Sequence, residues 1–162
     1  MNVALVIQLV LLLTVANVTP VIVKRIFGTW ADRAIDGGMR LADGRFVFGS
    51  SKTIRGIVSS VIATGLTAAG LSLTLYTGFI IALGAMAGDL TSSFIKRRLG
   101  LEPGSKATGL DQVPESLLPS LFASTILPLT AGDIAAIVLI FFCGEVLFAR
   151  VFFWAGVRDR PY

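Results

Sequence analysis

Gly88-Asp89-Leu90-Thr91-Ser92-Ser93-Phe94-Ile95-Lys96-Arg97-Arg98 is the stretch whose reading decides the fold. It begins as the end of an apolar segment and finishes as a cationic tail. On a helix of about 100° per residue with Asp89 as origin, Ser92 falls at about −60°, Ser93 at about +40°, Lys96 at about −20° and Arg97 at about +80°. Leu90, Phe94 and Ile95 occupy the flanks and the back. One face is a column of carboxylate, hydroxyls and cations. Asp89 and Lys96 lie two turns apart, whereas helical ion pairs join neighbours three or four residues apart, so a simple intrahelical salt bridge explains the column poorly. The chain then runs through Gly100-Leu101-Glu102-Pro103-Gly104 to Leu110-Asp111-Gln112, where a second carboxylate arrives. The stretch reads as a site for a metal ion and a triphosphate.

Outward from it, the chain is oily. Of its 162 residues 54% are hydrophobic, and the mean hydropathy of +0.82 places it in a bilayer; ordinary soluble domains are roughly 45–50% apolar. A single cysteine, Cys143, excludes an intrachain disulfide and any zinc or redox motif, and the absence of histidine excludes histidine-based acid–base chemistry. The N-terminus lacks an early basic cluster, and its apolar run of about twenty residues is too long for a cleaved signal sequence, so it is taken as the first span.

Five apolar segments follow: 3–23, 54–75, 78–95, 114–131 and 134–157. Each is long enough, or nearly so, to cross a hydrocarbon core of about 30 Å. The fold expected is an all-α integral membrane protein, one polytopic domain of five transmembrane helices with cytoplasmic loops 24–53 and 96–113. Tyr76-Thr77 and Gly132-Asp133 are expected as tight turns between paired spans. Every lysine and arginine falls on one side: Lys24, Arg25, Arg33, Arg40, Arg45, Lys52 and Arg55 after the first span, Lys96, Arg97, Arg98 and Lys106 after the third, and Arg150, Arg158 and Arg160 at the end. By the positive-inside rule that side is cytoplasmic, which puts the N-terminus outside and the C-terminus inside a cell membrane. Water-soluble substrate must then arrive from the cytoplasm, and no nucleic-acid partner is expected.

Juxtamembrane basic residues commonly serve as topology signals and lipid contacts. Lys52 and Arg55 fit that account less well. They stand in Gly49-Ser50-Ser51-Lys52-Thr53-Ile54-Arg55-Gly56, which opens a helix, and the free N–H groups of a helix start suit a phosphate. The spacing is not that of a Walker loop. Asp36-Gly37-Gly38 and Asp43-Gly44-Arg45 mark turns in the loop before it, with a short strand or helix piece expected at 45–48. On the first span Asn17, Pro20 and Lys24 share one face, either as a polar stripe or as a proline kink whose freed backbone groups Asn17 satisfies. Asp111 reads equally as a cap on the fourth helix or as a metal ligand. Pro119 and Pro128 predict kinks, Asp133 an N-cap at the outer surface, and Glu145 an intramembrane acid that either pairs with a cation, which the sequence does not name, or lines a cavity.

These motifs resemble a known family. Gly49–Gly56 is similar to the lysine-threonine motif of the CTP-dependent phosphatidate cytidylyltransferases, and Gly88-Asp89-Leu90, Ser93, Lys96-Arg97, Pro103-Gly104 and Leu110-Asp111 resemble their signature. The bacterial and eukaryotic pattern carries a histidine element and an Asp-Arg; here histidine is missing and Gln112 follows Asp111. With the small size and five spans, this resembles the archaeal branch, the CDP-archaeol synthases. The resemblance implies transfer of CMP from CTP to an isoprenoid ether lipid phosphate, di-O-geranylgeranylglyceryl phosphate, with release of pyrophosphate. It implies Mg²⁺, two ions partly held by CTP phosphates, on Asp89 and Asp111. It implies catalytic roles for Lys52 and Lys96 beside those aspartates. Substrate binding would fall to Asn17, Asp43, Lys52, Thr53, Arg55, Ser92, Ser93, Lys96, Arg97 and Gln112.

Two other classes compete on the residues alone. Intramembrane carboxylates and broken helices also mark transport pathways, so a small transporter or channel subunit is one reading. A lipid kinase, sharing magnesium and a phosphate-binding rim, is the other. Gly65, Ala68, Ala69 and Gly70 allow close helix packing and hence a homodimer.

Overall fold

Asn2 accepts the Leu5 amide through Oδ1 and starts helix α1, Val3–Phe27. The computed structural model describes residues 2–154, with side chains for 2–148. Helix α2 is Ile54–Gly70, α3 Leu75–Arg98, α4 Gln112–Ala123 and α5 Ala131–Trp154. By length and apolarity α1, α3 and α5 can cross a membrane, and α2 is a shorter apolar helix. Arg158, Arg160 and the end of the expected fifth span at 157 lie outside the described residues, as does the side chain of Arg150.

Several expected boundaries move: α1 runs on past 23 to Phe27, and Gly132-Asp133 lies in the first turn of α5 instead of forming a turn between two spans. The turn between α2 and α3 is not Tyr76-Thr77 but 71–74. Thr74 accepts the Thr77 amide and caps α3, and Ser72 adopts a left-handed φ of 60°, so the helix starts earlier than hydropathy alone predicts. The fourth segment is not one continuous span. Its helix stops at Ala123, about 18 Å at 1.5 Å per residue, and 124–130 continues without regular helix through Pro128. Nor is Asp133 the N-cap of α5. Thr130 Oγ1 accepts the Asp133 amide while Asp133 Oδ2 takes the Thr130 amide and hydroxyl, and Asp133 Oδ1 accepts from Asn2 N at 2.8 Å. That reciprocal box ties the starts of α1 and α5 together at the end of the bundle away from the basic loops.

Between helices in lipid there is little hydrophobic driving force, so close packing over small residues holds the bundle. Leu9, Leu12, Leu13 and Ala16 of α1 meet Ile81, Ala85 and Met86 of α3 and Ile137 and Phe141 of α5 in one buried cluster. Gly84 and Gly88 let α4 lie directly on α3. A methyl group at Gly88 would stand 2.2 Å from the Pro114 carbonyl oxygen, and one at Gly84 2.6 Å from Pro119 Cα. Gly78 meets Gly65 and Ala68 across the α2–α3 crossing in the same way. Gly65 and Ala68, which suggested a homodimer, are thus spent on packing within the chain. Pro20, having no N–H, leaves the Ala16 carbonyl free, and Ser60 Oγ of α2 donates to it at 2.8 Å. Asn17 Nδ2 instead donates to the Leu13 carbonyl.

The loop from α1 to α2 is irregular. No strand forms at 45–48; the region holds isolated bridges, Ala34 with Thr53 and Arg40 with Phe46, around the Asp43–Arg45 turn. Its organiser is Asp36, whose Oδ2 accepts the Phe48 and Gly49 amides and whose Oδ1 accepts the Gly38 amide. Partial burial by itself raises the Asp36 pKa, but the amides of Gly49, Phe48 and Gly38 outweigh it and hold the carboxyl below its usual range.

Two outcomes are expected. Gly88→Ala forces α4 off α3 and costs about 1–3 kcal/mol or more, read as a fall in Tm in detergent, while Gly132→Ala, whose methyl finds its nearest neighbour at 3.7 Å, leaves Tm unchanged. Because the folded pKa of Asp36 is depressed, its stabilisation is present above the unfolded value of about 3.9 and is lost as pH falls through the lower folded value. Protection of the Phe48 and Gly49 amides, taken relative to intrinsic exchange, should fall across that window, and in Asp36→Ala it should already be lost at neutral pH.

Candidate active site

The basic ends of α1 and α3, the start of α2 and the start of α4 surround a cavity of about 320 Å³. Helix α3 brings Asp89, Ser93, Lys96 and Arg97 to it, the column expected from the helical spacing. Helix α1 contributes Asn17, Pro20 and Lys24, so the stripe on that helix does face the cavity. Lys52 and Thr53 enter from the start of α2, where Thr53 Oγ1 accepts the Gly56 amide. Asp111 and Gln112 enter from the start of α4.

Two ion pairs span this cavity. Lys52 Nζ bonds both carboxylate oxygens of Asp89, and Lys96 Nζ lies 2.6 Å from Asp111 Oδ1 while donating to the Ser105 carbonyl at 2.9 Å. The partners of α3's column are therefore on other elements, which is why the spacing within α3 looked wrong for a salt bridge. The contact of Lys96 with Asp111 Oδ1 is ionic without hydrogen-bond alignment, and that oxygen has no hydrogen-bond partner. Asp111 Oδ2 accepts the Ala107 amide. The aspartate makes no capping bond to α4, which removes the cap reading and leaves Asp111 as a cavity wall.

Three expected residues are elsewhere. Arg55 donates to the Trp30 and Gly28 carbonyls and to Asp32 Oδ1, so it braces a turn of the loop and is not on the cavity lining. Asp43 pairs with Arg98 at the surface, and Arg98 with the Arg45 amide hold its carboxyl pKa below the usual range, the amide contributing most. Ser92 is buried with its hydroxyl turned back to the Asp89 carbonyl. All three looked accessible because a helical wheel and a glycine motif report the face of an element, not what the next element places against it.

Two further acids line the cavity: Glu115, which no motif marked, and Glu145, for which a place in the cavity wall was one of two expectations. Glu115 is 7% exposed, and its carboxyl lies against Asp89. Glu145 of α5 lines the cavity and accepts from Gln112 Nε2 at 3.5 Å. The signal for Glu115 was present, since it follows Asp111 by four residues and so shares its helical face.

The donor set fits a hard divalent cation in kind. Asp89, Asp111, Gln112 and Glu115 supply oxygen, and Mg²⁺ takes one or two carboxylates plus substrate phosphates. Among the described residues no ready group of three acids or other ligands stands together; each aspartate is held by its lysine instead. Ser93 Oγ, Arg97 Nε and Ser105 Oγ are buried on lining residues without partners, donors that phosphate oxygens could satisfy.

Comparison with known proteins decides the family. The CarS-like CDP-archaeol synthase family matches residues 2–162. The chain belongs to that family. CDP-archaeol synthase of Thermococcus onnurineus is 37% identical over 136 residues, 77% of this chain and 76% of that protein. CDP-archaeol synthase of Thermofilum pendens is 32% identical over 157 residues, 91% of this chain and 76% of that protein. A solved structure, described as an intramembrane enzyme for archaeal membrane lipids biosynthesis, superimposes with a TM-score of 0.71 at 33% identity, covering 87% of this chain and 90% of that one.

The crossed pairing has a measurable consequence. Lys96→Met removes the ion-pair partner of the half-buried Asp111 and leaves it only the more distant charge of Arg97, which should lower the stability of the ligand-free protein by up to about 3 kcal/mol. Adding Asp111→Asn should recover most of the loss, measured as Tm in a double-mutant cycle.

Proposed function

We infer that the cavity is where this membrane-embedded enzyme joins CTP to an archaeal lipid phosphate. As a member of its family the chain is a CTP-dependent cytidylyltransferase that forms CDP-archaeol. The transporter and kinase readings fall with that assignment. The observation that carries the site is the meeting of Lys52, Asp89, Lys96 and Asp111 from three elements around one cavity.

In the reaction an oxygen of the lipid phosphate attacks the α-phosphorus of CTP, a new P–O bond forms, and the bond to the β-phosphate breaks to release pyrophosphate. The nucleophile is already anionic, so no general base is needed, and the absence of histidine is no obstacle. What the protein must do is neutralise and align two polyanions. Lys52 and Lys96, exchanging their aspartates for phosphate oxygens, hold the triphosphate; Arg97 and Ser93 offer the buried donors that lack partners. Asp89 and Asp111, released by that exchange, would hold Mg²⁺, two ions partly coordinated by CTP, with Glu115 and Gln112 as neighbouring oxygen donors. Bound there, the metal supplies charge stabilisation across the transferring phosphoryl group. Asn17 and Thr53 complete the wall.

The basic loops and the cavity share one end of the bundle, and the positive-inside rule makes that end cytoplasmic. CTP then arrives from the cytosol and the lipid phosphate from the inner headgroup layer, with the N-terminus outside. The partly unwound fourth segment and α2 complete the crossings begun by α1, α3 and α5, giving five spans.

Purified protein given CTP, Mg²⁺ and the lipid phosphate should yield pyrophosphate and a CDP-lipid. Asp89→Asn should abolish this while leaving membrane insertion intact, and near-normal turnover in that variant would remove Asp89 from the site. Lys52→Ala should raise the KM for CTP; unchanged kinetics would return Lys52 to a purely structural role.

A further inference from the structure

Arg55, absent from the cavity lining, does something else. Its guanidinium binds the carbonyls of Gly28 and Trp30 and the carboxylate of Asp32 at once, and so clamps the turn that leaves α1. Gly28 and Ala31 both sit at positive φ there. A turn this firmly held nevertheless presents its largest side chain outward: Trp30 is 72% exposed, its ring tilted by 38° against Phe27 with 6.1 Å between centroids. The exposed apolar strip is continuous with the outward face of α1, running from Ile22 through Ile26 and Phe27 to Trp30. Exposed Arg25 and Arg33 flank it in the chain, while Lys24, on the cavity side, lies 4.0 Å from Asp32.

We propose that the Arg55-clamped turn 28–32 is an interfacial anchor, which seats Trp30 among the lipid headgroups of the leaflet on the cavity side and favours anionic lipid. Three observations choose the bilayer over a protein partner. The strip continues a membrane-facing helix surface, it ends where α1 ends, and its flank is cationic, as an anionic headgroup layer requires. An indole with an apolar body and one N–H donor is suited to that layer. Lys52 lies three residues before Arg55, so the same clamp fixes the height of the cavity mouth relative to the headgroups.

The test uses full-length protein in vesicles. The chain has two tryptophans, and Trp154→Phe leaves Trp30 as the sole reporter. Its emission should be blue-shifted, quenched more strongly by lipid brominated near the headgroup than by deeply brominated lipid or aqueous iodide, and more so in vesicles containing phosphatidylglycerol than in phosphatidylcholine alone. Adding Arg55→Met should shift the balance toward iodide, with circular dichroism reporting that the helices remain. Strong iodide quenching with no effect of brominated lipid in the Trp154→Phe protein would overturn the proposal. So would protection from both quenchers that depends on protein density, the mark of a protein contact.

Discussion

The two crossed ion pairs, Lys52 with Asp89 and Lys96 with Asp111, are the constraint on which the rest of this structure depends. A carboxylate at the edge of a bilayer is costly unless it is paired or hydrated. Here each acid finds its cation on a different element, so satisfying the charges also fixes the start of α2 and the start of α4 against α3. The architecture around them can be understood as what makes those contacts reachable. Gly84 and Gly88 bring α4 onto α3, and Asp36 shapes the loop that delivers Lys52. The missing N–H of Pro20, answered by Ser60, joins α1 to α2 beside the cavity.

Across the cavity lysine and aspartate neutralise each other, and in the function proposed above a nucleotide with its metal would replace each with the charge it prefers: phosphate for lysine, cation for carboxylate. Such an exchange leaves no buried charge unpaired at either end, the condition that buried ion pairs must meet. Ser93 and Arg97, with buried donors that lack partners, lie beside that exchange.

Much of this was legible in the sequence because it follows local rules. The helical spacing of Asp89, Ser93, Lys96 and Arg97 predicts a shared face, and the cavity receives all four. The stripe of Asn17, Pro20 and Lys24 obeys the same geometry. Failures came where an unforeseen partner intervened. Arg55 belongs to a convincing phosphate motif, yet the Gly28–Asp32 turn captures it. Ser92 lies within a turn of Asp89 but bonds to the backbone. Glu115, next to Pro114, shares a face with Asp111 only because α4 starts at Gln112.

By itself the sequence determined the membrane habit, the one-sided distribution of cations, the helix faces and the family motifs, since each depends on composition or on the fixed periodicity of a helix. Only the tertiary structure decided which lysine answers which aspartate, whether Asp111 caps α4 or walls the cavity, and where the fourth segment loses its helix. Those outcomes turn on contacts between residues tens of positions apart, such as Lys52 with Asp89 or Gly88 with Pro114. Such pairings are set by how closely backbones can approach and which buried charges must be satisfied, and no local periodicity encodes either.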